Sequence, residues 1–565
     1  MELYPAYFVI LGLLVYAAAY WLYAKKVDKT VWEVDPKRTT PAHMYMDGIE
    51  FFPTSKAVMF GFQYKGIAAL GPILGPFVAI TFGWLPALLW ILVGNFFIGW
   101  IHDYSSIMVS VRNEGKSFGP LSYELISPRA RTSLLGFLWF YMLIIAAVFV
   151  FLCGLFMWKL PASVTPTIFT AIAGIVVGVL LYRAKLSIIT TTVVGLIIFM
   201  VGLWLGVAYP IVHPSIEVWM VVTLILVLIG AVTPIIWYTQ PVNYVAFYPC
   251  FIGVIVIIVG ALLSPVWNIP LIQPAFNTWY TPAVGPIWPI LFVSIACGAI
   301  SGWHSLLGSS GTAKQLDVET DALPVGAGSM LWEGILALSA TAAYMVLPAA
   351  EAAKLGNWPS FIQGATLLTQ NLFGGAAAAP VLNAFFATFL NLYAITVTMI
   401  LFRFWRMTSA ELSEGVPALR AIFANKYVAT IIGMIIAFIF AWTGSWINLW
   451  LLFGGSNQLL AGLALLLASI YLVRQKKSTG YTLWPSVFMI ITCEAALIWI
   501  AYKLLNAVAT GKAIARGMLA GYPGVALALN AIFAIMAVVL IILGIVIAND
   551  GYRAYARGKE EAEAA

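Results

Sequence analysis

Residues 60–82, FGFQYKGIAALGPILGPFVAITF, are apolar for long enough to cross a membrane, yet Gly71-Pro72 and Gly75-Pro76 interrupt them near the centre. Proline has no backbone N–H, so each proline leaves the carbonyl four residues earlier without its helical partner. Unpaired carbonyls are tolerated in a membrane only against protein or a watery cavity. The stretch therefore predicts a broken membrane helix of the kind that forms a transport site. A packing kink explains it equally well.

The composition predicts an all-α protein that crosses a membrane many times. The 565-residue chain is 62% hydrophobic and 9% charged. A membrane helix needs roughly 20 apolar residues, and about fifteen such segments can be placed. The first segment lacks a positively charged N-terminal region and is too long, so it is not expected to be a removable signal peptide. The segments are residues 4–24, 60–82, 84–110, 133–158, 163–182, 186–209, 216–238, 245–265, 286–308, 327–350, 379–403, 427–446, 448–472, 482–506 and 526–548.

The distribution of positive charge predicts the orientation. Of the 29 lysines and arginines, 23 lie in alternate connections and in the C-terminal tail, which would share one side of the membrane. Positive charge marks the cytoplasmic side, so we expect the N-terminus outside and the C-terminus inside. This placement argues against nucleic acid as the reason for the net charge of +7, so membrane lipid is expected as a partner and nucleic acid is not. The four cysteines lack paired spacing, so neither a disulfide nor a metal site is expected.

Five blocks of sequence resemble the carbon starvation protein A (CstA) family over roughly residues 47–466. The resemblance implies a carrier in a prokaryotic plasma membrane that imports peptides, with pyruvate or a small monocarboxylate carried with protons as the alternative. The blocks are DGIEFFPTSKAVMFGFQYKGIAALGPILGP with GWLPALLWILVG and HDYSSIMVSVRNEGKSFGPL, TPIIWYTQPVNY, GPIWPILFVSIACGAISGWHSLLGSSGTAK, YAITVTMILFRFWR and LWLLFGGSNQLLAGLALL.

The same resemblance implies the amino-acid symporter architecture, two inverted five-helix repeats with extra helices. We expect a first helix and cytoplasmic segment in 1–59, the repeats in 60–212 and 213–410, and additional helices with a cytoplasmic tail in 411–565. No cofactor is expected apart from a coupling proton or sodium ion. No oligomeric state is assigned.

Three positions differ from the family's usual residues. Phe62-Gln63 stand where a His-His pair is common, Val242-Asn243 where Arg-Asp is common, and Thr398-Met399 where Leu-Asp is common. All three sites are neutral in this chain. The differences bear on proton coupling and on the choice of substrate.

An inverted repeat predicts a second interrupted helix five helices after the first. The segment 216–238 fits, because Pro234 frees the Gly230 carbonyl and Pro241 would end the helix. Two interrupted helices in corresponding positions indicate a transport site. We therefore expect substrate to contact the first break and the polar residues beside the second. These residues are Gly71, Pro72, Gly75, Pro76, Trp237, Gln240 and Asn243.

Trp237 is equally typical of a membrane-interface tryptophan. Residues 294–314 add a second group of candidates for substrate binding. Gly298 and Ser301 are small residues that also suit close helix packing. His304 is ionisable at membrane depth, which favours a function in proton movement. A neutral histidine that holds a backbone carbonyl is the alternative.

The symporter architecture implies a sodium site as one means of coupling. Hydroxyls of Ser309 and Ser310 would join the Ala68 carbonyl of the first broken helix, and such oxygens suit a hard cation. Lys314 would alternatively place a fixed ammonium there and remove the need for sodium.

Asp103 and Glu333 are the best carboxylates for proton coupling, because acids inside a membrane are rare and costly. Arg112 and Lys116 are instead predicted to form interfacial salt bridges. Asn457-Gln458 lie in an apolar segment, where amides usually bond across helices.

The leading interpretation is a secondary active importer of peptides that works by alternating access. No GxxxxGK[ST] motif indicates an ATP-driven pump. A channel, the distant alternative, would need a filter of carbonyl or charge rings, and no repeated filter motif is present. An enzyme would need clustered catalytic residues, whereas the four histidines are scattered.

Overall fold

The computed structural model describes residues 2–355, 357–442, 446–514 and 522–564. Within them, eleven helices are long and apolar enough to cross a membrane. The protein is therefore an all-α, multi-pass membrane protein, as the sequence predicts. The eleven are Pro5–Trp32, Trp84–Val111, Pro128–Lys159, Pro161–Tyr182, Ile188–Ala208, Thr239–Leu262, Glu319–Met345, Gly375–Leu412, Ile447–Arg474, Gly480–Ala509 and Pro523–Ala564.

Each of the fifteen predicted segments contains a helix, but not every one is long enough by itself to count as a candidate span. Two bent pairs raise the number of candidate spans in the described residues to at most thirteen: Lys56–Ile67 with Gly71–Phe82, bent by 43°, and Pro417–Phe423 with Lys426–Trp442, bent by 89°. The predicted segment 216–238 contains a shorter helix, Ile216–Val232. Residues 443–445, at the end of the predicted segment 427–446, lie outside the described residues.

Short elements connect the long helices. They are Pro41–Met44, Phe118–Leu125, Ala349–Leu355, Asn357–Thr369 and a two-stranded ribbon of Tyr280–Thr281 with Gly285–Pro286.

The predicted interfacial salt bridges are present at one end of the bundle. Arg112 Nε lies 2.8 Å from Glu319 Oε1, and Lys116 Nζ lies 2.8 Å from Glu124 Oε1. The buried Glu319 carboxylate also accepts from the backbone N–H of Asp35 at 2.8 Å. These contacts fasten the polar segment 33–55 to the helices.

The first broken helix consists of Lys56–Ile67 and Gly71–Phe82. Its break lies at residues 68–70, just before the predicted position, and Ala68 is extended with φ −65° and ψ 115°. Pro72 stands in the first turn of the second half, where a missing N–H has no cost. Proline here begins a new helix instead of opening a continuous one.

The second broken helix is Ile287–Ser294 with Trp303–Ser310, joined by the unwound residues 295–302. It packs directly against the first broken helix. A Cβ added at Gly75 would lie 2.7 Å from the Ser294 carbonyl oxygen, and one added at Gly71 would overlap the Cys297 side chain. Glycine is required at these positions because the two backbones approach so closely.

The segment 216–238 is therefore not the interrupted helix that faces the first break. Its helix ends at Val232, and Pro241 lies in the first turn of the next helix, Thr239–Leu262, instead of ending a helix. The Gly230 carbonyl is freed as predicted, and it accepts from Thr239 Oγ1 at 2.9 Å and Arg403 at 3.0 Å. These residues form a capped connection between two helices. The proposed repeat boundaries stay a prediction.

Candidate functional site

The unwound residues 295–302 are held open by two amides from helix Ile447–Arg474. Asn457 Oδ1 accepts from Trp303 N–H at 3.0 Å and from the Tyr141 hydroxyl at 2.6 Å, while Nδ2 donates to Ser301 Oγ at 3.0 Å and to the Ala296 carbonyl. Gln458 Nε2 donates to the Ile295 carbonyl at 2.8 Å. The amides thus replace the helical bonds that the loop lacks. The prediction that they bond across helices is confirmed.

An acid–histidine cluster lies beside this loop and consists of His102, Asp103, His304 and Glu333. All four residues are at most 1% exposed. His304 Nδ1 donates to Asp103 Oδ2 at 2.8 Å, and His102 Nδ1 donates to Asp103 Oδ1 at 2.8 Å. His304 Nε2 lies 3.1 Å from Glu333 Oε2, an ion-pair contact without the alignment of a hydrogen bond. The structure thus brings together the three residues predicted for proton movement, Asp103, His304 and Glu333.

The contact between His304 and Glu333 depends on a proton. Because the His304 Nδ1–H donates to Asp103, the Nε2 of a neutral ring carries a lone pair and faces a carboxylate oxygen. These two atoms repel unless a proton sits on one of them. The cluster can therefore change its geometry when it gains or loses one proton. The nearby Cys297 thiol donates to Ser301 Oγ at 3.4 Å, and we assign no metal to these residues.

A cavity of about 330 Å³ opens beside the first half of the first broken helix. Two predicted residues line it, Gln240 and Asn243. Asn243 Nδ2 donates to the Thr239 carbonyl at 2.8 Å, and its Oδ1 has no hydrogen-bond partner in the part of the chain that the structure describes. The remaining lining is largely apolar and aromatic and includes Phe62, Tyr244, Phe247 and Tyr248.

Two of the three positions that differ from the family's usual residues reach this cavity. Phe62 and Asn243 line it, and the neighbouring Gln63 accepts from the Thr312 hydroxyl. Met399 instead packs against Gly230. Both of these lining side chains, Phe62 and Asn243, are neutral.

Other predicted site residues lie elsewhere. Trp237 is 42% exposed, and the guanidinium carbon of Arg183 lies 4.7 Å from the centre of its ring. This surface position fits the alternative interpretation, a tryptophan at the membrane interface. Gly71, Pro72, Gly75 and Pro76 are helical and pack against the second broken helix. Gly298 and Ser301 lie in the unwound loop itself, where Gly298 packs against Pro72.

The sodium site of Ser309, Ser310 and the Ala68 carbonyl stays a prediction. Ser309 Oγ donates to the Ser305 carbonyl of its own helix at 2.7 Å. Ser310 is the last residue of that helix, and Ala68 lies in the break of the other. Lys314 does not place an ammonium there, because it pairs with Glu50 of the polar segment at 2.6 Å. The short helix after Gly311 carries Lys314 away from the site.

Sequence reasoning missed Lys65, which is fully buried in the first broken helix. Its Nζ donates to Thr396 Oγ1 at 2.8 Å and to the Leu392 carbonyl at 3.3 Å. The signal was available, because an ionisable residue inside a membrane segment is by default a functional candidate.

Two broken helices that face each other, beside buried ionisable groups and a cavity, are typical of membrane transporters. The comparisons with known families agree. The family model described as carbon starvation protein CstA matches residues 4–355 and 342–496. The chain belongs to this family of membrane transporters.

Curated relatives cover most of the chain. The peptide transporter CstA of Campylobacter jejuni is 28% identical over 86% of this chain and 78% of its own length. The peptide transporter CstA of Bacillus subtilis is 26% identical over 90% of this chain and 93% of its own length. The pyruvate/proton symporter BtsT of Escherichia coli is 32% identical over 60% of this chain and 49% of its own length.

Solved structures with a similar trace are more distant. A manganese transporter of Eremococcus coleocola is 13% identical, with a TM-score of 0.48, over 90% of this chain and 99% of its own. MhsT in complex with L-phenylalanine is 14% identical, with a TM-score of 0.43, over 80% of this chain and 98% of its own.

Proposed function

We propose that the protein is a proton-coupled importer of peptides that works by alternating access. The observation that carries the proposal is the 3.1 Å contact between His304 Nε2 and Glu333 Oε2, buried beside the unwound loop. A proton stabilises this contact, and its loss makes the two atoms repel. The loop can thereby respond to protonation, which is what coupling of a proton to transport requires.

A proton is favoured over sodium by the side chains around the two breaks. With both acids ionised and one histidine protonated, the acid–histidine cluster carries a net charge of −1, and a second proton neutralises it. Burial in protein makes that neutralisation favourable. Of the two serines predicted to bind sodium, Ser309 donates its hydroxyl to a carbonyl of its own helix, and Ser310 is only half-buried.

Peptides are favoured as substrates by the named relatives and by the cavity. At about 330 Å³, it is within the range of small-molecule sites, from roughly 300 Å³ upward. It is larger than a three-carbon acid needs. Gln240 and Asn243 line the cavity and carry amide groups of the kind that match the polar atoms of a peptide backbone.

Pyruvate or another small monocarboxylate is the second candidate, because BtsT, 32% identical over 353 residues, is named a pyruvate/proton symporter. In both cases the protein would lie in a prokaryotic plasma membrane with the N-terminus outside and the C-terminus in the cytoplasm. Lipid would contact the exposed apolar side chains of its outer helices, such as Ile197 and Trp204.

Uptake of labelled dialanine and of labelled pyruvate into proteoliposomes tests the proposal. Each is measured with a proton gradient, with a sodium gradient and with neither. We expect dialanine to accumulate only with the proton gradient. Accumulation of pyruvate alone would transfer the proposal to the second candidate, and accumulation of neither would contradict it.

A further inference from the structure

Lys65 is a buried cation for which the described part of the chain supplies no anion. Its side chain is fully buried in the last turn of Lys56–Ile67, three residues before the break begins at Ala68. The two acids of the acid–histidine cluster pair with histidines instead. Burying an ammonium group is costly unless an opposite charge compensates it.

The groups around Lys65 compensate its charge only in part. An ammonium group has three N–H donors, and Thr396 Oγ1 and the Leu392 carbonyl accept two of them. The Tyr393 ring lies 4.4 Å from Nζ, which adds a cation–π contact. All three partners are neutral. The site therefore has a net positive charge, and an anion would satisfy it better than these residues do.

A chain of aromatic side chains connects Lys65 with the cavity. Gly61 and Phe62, one turn earlier on the same helix, line the cavity, and so does Phe247. Phe247 packs edge-on against Tyr64 at 5.9 Å, and the Tyr64 hydroxyl bonds that of Tyr393 at 3.0 Å. Tyr64 and Phe247 form the aromatic layer. A ligand that passed from the cavity through this layer would reach the break in the helix and the ammonium group.

We propose that Lys65 binds the carboxylate of the transported substrate. The carboxylate replaces Thr396 and Leu392 as the partner of Nζ after the aromatic layer opens. This inference rests on the proposed function and adds to it the group of the substrate that is recognised. A charge-assisted hydrogen bond between ammonium and carboxylate is about twice as strong as a neutral one. Dipeptides and pyruvate share this carboxylate, so the inference holds for either substrate.

A proton symporter binds two charges, the proton and the anionic end of its substrate, and this protein would bind them at two separate sites. The acid–histidine cluster takes the proton, and Lys65 takes the anionic end of the substrate. The two sites have no side chain in common. Asp103 and Glu333 contact histidines, whereas Lys65 contacts helix Gly375–Leu412. Substrate recognition and proton coupling can therefore be lost separately by mutation.

Equilibrium exchange in proteoliposomes tests the inference without any gradient or membrane potential. The probes are labelled dialanine and dialanine amide, which are alike in size but differ in the carboxylate. We expect the wild type to exchange dialanine at least about tenfold faster than its amide, the effect of one lost strong contact. Lys65→Gln should lower dialanine exchange to the rate of the amide and leave the amide rate nearly unchanged.

Two further variants make the result specific. Lys65→Arg keeps a cation and should keep a preference for the free acid. Lys314→Gln removes a lysine with the same change of charge, and it should leave the preference unaltered because Lys314 pairs with Glu50 at the end of the bundle. If Lys65→Gln fails to fold, Lys65→Met repeats the test with an uncharged side chain of similar length.

The outcomes distinguish the inference from the proposed function. A Lys65→Gln or Lys65→Met protein that still prefers dialanine over its amide overturns the role of Lys65 and leaves the importer intact. A wild type that exchanges the acid and the amide equally fast also overturns it. A wild type that exchanges neither dialanine nor pyruvate contradicts the proposed function, and the inference is then rejected with it.

Discussion

Glu333→Gln should abolish proton-driven accumulation of substrate and leave equilibrium exchange largely intact. Glutamine keeps the size of the side chain but cannot gain or lose a proton. Its amide would donate to or accept from His304 Nε2 at the same 3.1 Å separation, so the contact no longer depends on protonation. We expect the ratio of internal to external substrate to fall to about 1, because transport is then no longer coupled to the proton gradient.

Glu494→Gln is the matched control for Glu333→Gln. Glu494 is also a buried acid in a membrane helix, and its carboxylate packs against Gly544, between helices far along the chain from the acid–histidine cluster. The Glu494→Gln protein should accumulate substrate as the wild type does. Proton-driven accumulation that survives Glu333→Gln, or that is lost equally in both variants, would contradict the assigned role of Glu333.

Asn457→Leu should give the largest loss of stability among single changes in the site. Leucine fits the apolar helix but leaves Trp303 N–H, the Ala296 carbonyl and the Tyr141 hydroxyl without the partner they have in the wild type. The unwound loop has few other ways to satisfy these groups, because it is enclosed by protein. We expect a loss of about 2–5 kcal/mol, seen as a lower Tm in detergent.

Asn530→Leu provides the comparison for this stability measurement. Asn530 is a buried amide in helix Pro523–Ala564, and its one described hydrogen bond, to the Ile514 carbonyl, is 3.4 Å long. Its replacement should cost less than about 1 kcal/mol, as for typical polar contacts between membrane helices. Equal shifts in Tm for the two variants would mean that Asn457 does not hold the loop open.

The sequence predicts the first break well because its cause is local. Pro72 lacks a backbone donor and favours the start of a helix, so a break just before it could be predicted, whereas Pro76 lies within the second half without interrupting it. The exact position depends on how the new helix begins, and Pro72 proves to be in a first turn. The segment 216–238 carried the same local signal, yet Arg403 and Thr239 satisfy its freed carbonyl and make it a connection.

The acid–histidine cluster shows what a single sequence leaves open. His304 and Asp103 are 201 positions apart, and their contact depends on how the helices pack. Ionisable character at membrane depth was enough to select His304, Asp103 and Glu333 separately. No proline lies within residues 295–302, so the sequence has no local signal for the unwinding. It depends on Asn457 and Gln458, which are distant in sequence.

Substrate-induced acidification tests most directly whether substrate and proton enter together. Wild-type proteoliposomes enclose a pH-sensitive dye, with equal pH and no sodium on either side. Addition of dialanine outside should acidify the interior, and the Glu333→Gln protein should give no acidification although it still exchanges dialanine. Entry of dialanine into wild-type vesicles without acidification would contradict the account.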